Sequence, residues 1–270
     1  MRFRLLILLL ERMPAVRWVG ARLGQRRFRS WTRRNPGRPF SDFYVDQVAS
    51  TLDKGKGHPT LGRRGYVPAR PLAVDWTSDS FANRGQRQWD YYARVTGISP
   101  EAKCVDFGCG SLRIGQHAIR QLDPGNYWGL DVTDAFVKTG LDLIEPSLLE
   151  TKRPNFSIIG EASIEAVREW KPKVLFANAV LQHVPPSELP TFFRHIARIM
   201  APGAVAAIVF IADASVTQVK AMSWAYPDDV LVSAALEADR KLKVKCLPLD
   251  NSDARAFHPG RRLLRIERPA

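Results

Sequence analysis

Two glycines and three acids mark out the chemistry of this 270-residue chain. Val105-Asp106-Phe107-Gly108-Cys109-Gly110 ends an apolar run, Ala102–Phe107, with glycines that let the backbone approach a ligand closely. The amides opening the following helix are then placed to receive a negative group. Asp131 lies 21 residues past Gly110, at the end of a second apolar run, Tyr127–Val132. A carboxylate there is suited to accept two hydrogen bonds from a ribose diol. Glu161, in Gly160-Glu161-Ala162 after a third run at Phe156–Gly160, is placed to accept from an exocyclic amine such as that of adenine. Together these positions describe a nucleoside site. A nicotinamide fingerprint would carry glycine where Arg113 stands, and normally has no acid two residues before its first glycine, where Asp106 sits. A carboxylate aimed into a phosphate turn suits a diphosphate poorly and a methionine ammonium well. The residues therefore point to S-adenosylmethionine (SAM).

His183, in Leu181-Gln182-His183-Val184-Pro185, follows a fourth apolar run at Lys173–Ala179 and faces the expected acceptor pocket. Its ordinary pKa suits a general base for an acceptor hydroxyl; the bland alternative is a histidine that caps the Pro185–Ser187 turn. Cys104 and Cys246 read as strand-core residues, and Cys109 as a residue chosen for size.

These positions need a scaffold that brings strand ends together. Helical stripes alternate with the apolar runs: Gly115, Ile119 and Leu122; a helix through Phe136–Ile144; another around Ile164–Trp170; and Leu189, Phe192, Ile196 and Ile199, with Ser187 placed as a cap. A fully apolar strand, Ala204–Ile211, follows. Strands apolar on both faces between amphipathic helices imply a parallel sheet covered on both sides. Lys241–Leu247 and Leu263–Arg268 predict an antiparallel pair at the sheet edge. The fold expected is α/β, a Rossmann-like doubly wound sheet, mostly parallel, with ligands at the carboxyl ends of the strands.

At this level the chain resembles the Rossmann-like (class I) SAM-dependent methyltransferases. The matching segments are VDFGCG at 105–110, YWGLD at 127–131, IIGEA at 158–162, VLFANAVLQHV at 174–184 and RHIARIMAPGA at 194–204. The resemblance implies that Gly108, Cys109 and Gly110 line the methionyl part, that Asp131 binds the ribose, and that Glu161 with Ala162 frames the adenine. It also implies that Asn178 and Ala179 contact the cofactor. Two departures stand out: the frequent third glycine is Leu112, and Asn178-Ala179-Val180 lacks the paired prolines and aromatic of enzymes that methylate DNA bases or glutamine. Methyl transfer from a sulfonium is an in-line displacement governed by alignment, so no metal or covalent nucleophile is required. The expected acceptor is a small molecule, a glycan or a lipid-linked metabolite, with O- and N-methylation both open. The alternatives are an RNA methyltransferase using a basic arm, and a SAM-binding scaffold without turnover.

Composition narrows the class further. Hydrophobic residues at 45% and charged residues at 25% exclude a collagen, a mucin or a disordered tail protein. Three cysteines without metal spacing exclude a disulfide scaffold and favour a reducing compartment such as the cytoplasm. The net charge of +13 is concentrated: residues 1–40 hold eleven arginines against Glu11, so the folded remainder carries only about +3. RNA is thereby the less favoured partner, since charge secures phosphate-backbone binding. Residues 1–40 read as a basic arm for an anionic membrane surface, with Leu5–Leu10 too short to span one. Pro14 is expected to interrupt a helix there. Residues 41–80 read as an irregular, glycine- and proline-rich connector wrapping the core, and residues 81–270 as the catalytic domain.

Overall fold

Pro14 stands at the start of the first described helix. The computed structural model describes residues 14–53, 81–249, 256–257 and 259–270, and its first helix, α1, is Pro14–Arg34. Proline lacks an amide hydrogen, and the first helical turn needs none. The expected connector is likewise helical at its start: α2 spans Phe40–Asp53. Glycine and proline density over residues 35–80 concealed a 14-residue window that contains neither. Residues 54–80, the rest of that connector, and the Leu5–Leu10 run lie outside the described residues.

The remaining elements follow the expected alternation: α3 (Phe81–Thr96), β1 (Cys104–Phe107), α4 (Gly115–Gln121), β2 (Tyr127–Asp131), α5 (Asp134–Leu141), α6 (Pro146–Lys152), β3 (Asn155–Ile158), α7 (Glu161–Trp170) and β4 (Val174–Asn178). Then come α8 (Leu189–Ile199), β5 (Val205–Ile211), β6 (Thr217–Lys220), β7 (Ser223–Ala225), α9 (Asp228–Ala238), β8 (Lys243–Pro248) and β9 (Arg261–Glu267). Ser187 sits in a short 3-10 turn, Pro186–Glu188, and makes no capping bond to α8.

The main sheet has the order β3-β2-β1-β4-β5-β9-β8. β1 to β5 are parallel, and β9 runs antiparallel between β5 and the edge strand β8. This is the expected doubly wound sheet with an antiparallel C-terminal pair. The strand order reverses between β1 and β4, so a crevice opens above their carboxyl ends. On one face Leu130, Leu175 and Ile208 pack with Phe193 and Ile196 of α8; on the other, Cys104, Phe176 and Val209 pack with Trp89 and Tyr92 of α3.

The amino-terminal helices are part of the fold. Gly24 of α1 is buried, and a Cβ there would sit 2.4 Å from Ala221 Cα in the β6–β7 hairpin, so glycine permits the close approach. Phe28 and Trp31 of α1 face inward and form an aromatic cluster with Phe40 and Phe43 of α2 and Trp224 of β7. Trp31 also donates to Asp46 Oδ2 at 2.7 Å. The aromatic side chains of this stretch that the structure describes therefore pack against protein, while Arg22, Arg26, Arg27, Arg29, Arg33, Arg34 and Arg38 are exposed. Burying an aromatic of this size is worth several kcal/mol. Trp31→Ala is expected to lower the unfolding free energy by about 3–5 kcal/mol in urea titration, and a loss below about 1 kcal/mol would contradict this packing role.

Candidate active site

Above the switch point lies a cavity of about 650 Å³, within the range of small-molecule sites. Its first half is built from the ends of β1, β2 and β3. The turn after β1 bends through Gly108 (φ +80°) and Gly110 (φ +56°), in the left-handed region that favours glycine. At Gly108 a Cβ would also lie 2.2 Å from Val180 Cγ2. Leu112 takes the same left-handed conformation at φ +57°, a strain of about 1–2 kcal/mol for a residue with a Cβ. Its fully buried side chain offsets that cost through packing.

The amides of this turn are already committed. Gly108 and Cys109 N–H donate to Leu130 O at 2.7 and 3.0 Å, Gly110 N–H to Asp131 Oδ2 at 2.8 Å, and Leu112 N–H to Cys109 O at 3.1 Å. These four amides belong to the turn itself and precede the helix-opening amides, at Gly115 onward, for which a negative group is expected. Asp131 is the hub. Its Oδ1 accepts from Val132 N–H at 2.8 Å, and burial pushes its carboxyl up to about 6 against the pull of these amides. Each carboxylate oxygen can accept more than one bond, so Asp131 keeps capacity for a diol. Asp106 lies beneath, 3% exposed, accepting from Tyr127 OH at 2.8 Å. Burial raises its carboxyl to about 8, so at neutral pH it is mainly the neutral acid.

The second half is built from the ends of β4 and β5, the β6–β7 hairpin and α2. Asn178 and Ala179 line the cavity here, Ala179 at φ +60°. Tyr44 of α2 stacks at a tilt on His183, ring centroids 5.0 Å apart, and lies near enough to Asp131 for that charge to help raise its hydroxyl pKa, after burial. Glu188 fixes α2 in place by accepting from Phe40 N–H.

The structure thus brings Asp106, Gly108, Cys109, Gly110, Asp131, Asn178, Ala179 and His183 to one cavity. Glu161 and Ala162 are not among its lining residues. Glu161 opens α7, and its carboxylate turns to α8, accepting from Arg198 Nη1 at 2.6 Å with His195 at 3.8 Å. Ile159, two residues earlier, lines the cavity in its place.

His183 is held on both sides. Nδ1 lies 2.6 Å from Met222 O, so it must carry the proton and donate. Nε2 then accepts from Gln182 Nε2 at 2.9 Å, an orientation set by Arg261 Nη2 donating to Gln182 Oε1 at 2.6 Å. Burial lowers the imidazole to about 4. Its single lone pair is occupied, so in this arrangement it does not supply a free general base. The sequence reading also passed over Tyr44, Lys220 and Arg261. They come from segments far from the glycine turn, and only the folded chain places them beside it.

The fold is the Rossmann-like fold of the class I SAM-dependent methyltransferases. Magnesium protoporphyrin IX methyltransferase (ChlM) from Synechocystis PCC 6803, with bound SAM, is similar at TM-score 0.57 and 13% identity, over 86% of this chain and 99% of that one. The [4+2]-cyclase SpnF is similar at TM-score 0.57 and 16% identity, over 87% of this chain and 98% of that one. No protein-family model and no curated protein sequence matches.

The buried acid yields a pH test. Asp106 holds its proton more tightly in the fold, at about 8, than in an unfolded chain, at about 3.9. Its contribution to stability is therefore complete below pH about 4 and is lost as pH rises through about 8. Asp106→Asn keeps the shape and removes the titration. It is expected to flatten the fall in Tm of the ligand-free protein between about pH 6 and 9, and an unchanged slope would contradict the buried acid.

Proposed function

We propose that this protein is a SAM-dependent methyltransferase acting on a small-molecule acceptor. The observation that carries the reading is the Asp131 hub: a buried carboxylate at the end of β2, facing the cavity and tied to the glycine turn through Gly110 N–H. A dinucleotide turn presents open amides to a diphosphate, whereas the amides of Gly108, Cys109, Gly110 and Leu112 are satisfied within the protein. Such a turn fits a nucleoside without a phosphate. The resemblance of the five sequence segments and the SAM-bound ChlM neighbour lend support at the level of fold and family.

The cofactor supplies an activated methyl group. The chain's own residues bind and align: Asp131 accepts the ribose hydroxyls, Val132 and Ile159 offer apolar surface beside it, and Asn178 and Ala179 border the passage to the acceptor half. α2 and the β6–β7 hairpin cover that half and restrict water. With the His183 lone pair occupied, the matching acceptor presents a lone pair without help from this histidine, which serves to hold the wall formed with Tyr44 and Met222.

The SpnF neighbour, a cyclase by name, favours keeping a second reading: a SAM-dependent fold whose chemistry is not methyl transfer. Labelled methyl transferred from SAM to a component of a cell extract would exclude it. The cofactor itself is tested by calorimetry of the full chain with S-adenosylhomocysteine and with NAD. Binding of the first and none of the second is expected, and the reverse would overturn the proposal. Asp131→Ala is expected to weaken the first by about 10- to 150-fold, the equivalent of about 1.5–3 kcal/mol for charge-assisted hydrogen bonds. Affinity in the native protein is expected to fall as pH drops through about 6, where Asp131 takes up its proton.

A further inference from the structure

The cavity's charges are spread unevenly. At the β1–β2 end the ionised acid is Asp131, held by backbone amides, with the neutral Asp106 beneath it. At the β4–β5 end stand Arg261 and Lys220, and Arg84 and Arg113 also line the cavity. Arg261 opens β9 and pairs with Ile211, the last residue of β5, which sets its side chain at the carboxyl end of the sheet. One guanidinium arm, Nη2, donates to Gln182 Oε1 at 2.6 Å. The other, Nη1, is buried and has no hydrogen-bond partner among the described residues. Burial brings Arg261 down to about 10, so it is still a cation at neutral pH. Lys220, exposed at the end of β6, adds a second charge on the same wall and makes no ion pair among the described residues. Glu188, the other acid lining this half, is engaged with the start of α2.

An arginine that lines the cavity, with one buried arm lacking a partner among the described residues and a second cation on the same wall, is a site for an anion. We propose that the acceptor carries an oxyanion, either a carboxylate or a phosphate ester, that docks between Arg261 and Lys220. This deepens the methyltransferase reading and rests on it for the word acceptor. The oxyanion takes the open Nη1 donor while Nη2 stays on Gln182, so the same arginine that sets the Gln182–His183 wall also reads the substrate. The anionic group is a handle: it fixes the acceptor at the basic end and presents its reacting atom toward the β1–β4 crevice.

The test uses the full chain with three aromatic probes of matched size: benzoate, phenyl phosphate and neutral benzamide. Each is titrated by calorimetry with and without S-adenosylhomocysteine. At least one anion is expected to bind about tenfold or more tighter than benzamide, and the tighter anion identifies the source. Arg261→Gln is expected to weaken that anion by about tenfold or more, and Arg261→Lys to recover part of the loss by restoring charge without the planar fork. Lys220→Gln, on an exposed strand end, is expected to weaken it by about threefold and guards against a folding defect in the arginine variants. Benzamide binding as tightly as the anions, no binding of either anion at about 10 mM, or anion affinity unchanged in Arg261→Gln would each overturn the proposal. Failure of S-adenosylhomocysteine to bind would instead overturn the methyltransferase reading, since the anion titrations run without it.

Discussion

The Asp131 carboxylate, caught between burial that raises it to about 6 and two amides that stabilise its charge, ties the end of β2 to the turn after β1. That bond decides what the turn can hold. Once Gly110 N–H points at Asp131, and Gly108 and Cys109 N–H point at Leu130 O, the turn presents shape where a dinucleotide fold would present donors. The left-handed conformations at Gly108, Gly110 and Leu112 accompany the same turn, which must reverse the chain within a few residues to enter α4 on its way back to β2.

The amino-terminal helices close the other side. Their aromatic cluster, centred on Trp31, Phe40 and Phe43, uses apolar side chains that a peripheral membrane helix would turn outward. Packing them on Trp224 seats α2 over the cavity, where Tyr44 meets His183. Arg22, Arg26, Arg27, Arg29, Arg33 and Arg34 of α1 face solvent, so among the described side chains basic charge and apolar surface divide the helix between outside and inside. The segment thus contributes to the site's wall, a role separate from any placement on an anionic surface.

The parallel sheet was legible because its strands are short apolar runs ended by glycine or acid, and period and punctuation survive in a single sequence. Asp131 was legible for the same reason: it stands at a strand end at a fixed distance from the turn. Glu161 read equally well by position, but Arg198 and His195, brought close only when α7 packs on α8, hold its carboxylate away from the cavity. His183 shows the same limit. Its place beside the pocket follows from the strand before it, whereas the occupied lone pair depends on Met222 and on Arg261 acting through Gln182. α2 was hidden by averaging over the glycine-rich sequence around it. Contacts between segments far apart in the chain leave no periodic trace.

A crystal structure of the full chain grown with S-adenosylhomocysteine would test the central claim most directly. Ribose hydroxyl oxygens about 2.6–3.0 Å from the Asp131 carboxylate, with Gly110 N–H still donating to Asp131, are the predicted result. A nucleoside bound outside the crevice above β1 and β4, or an Asp131 carboxylate with no ligand contact, would contradict it.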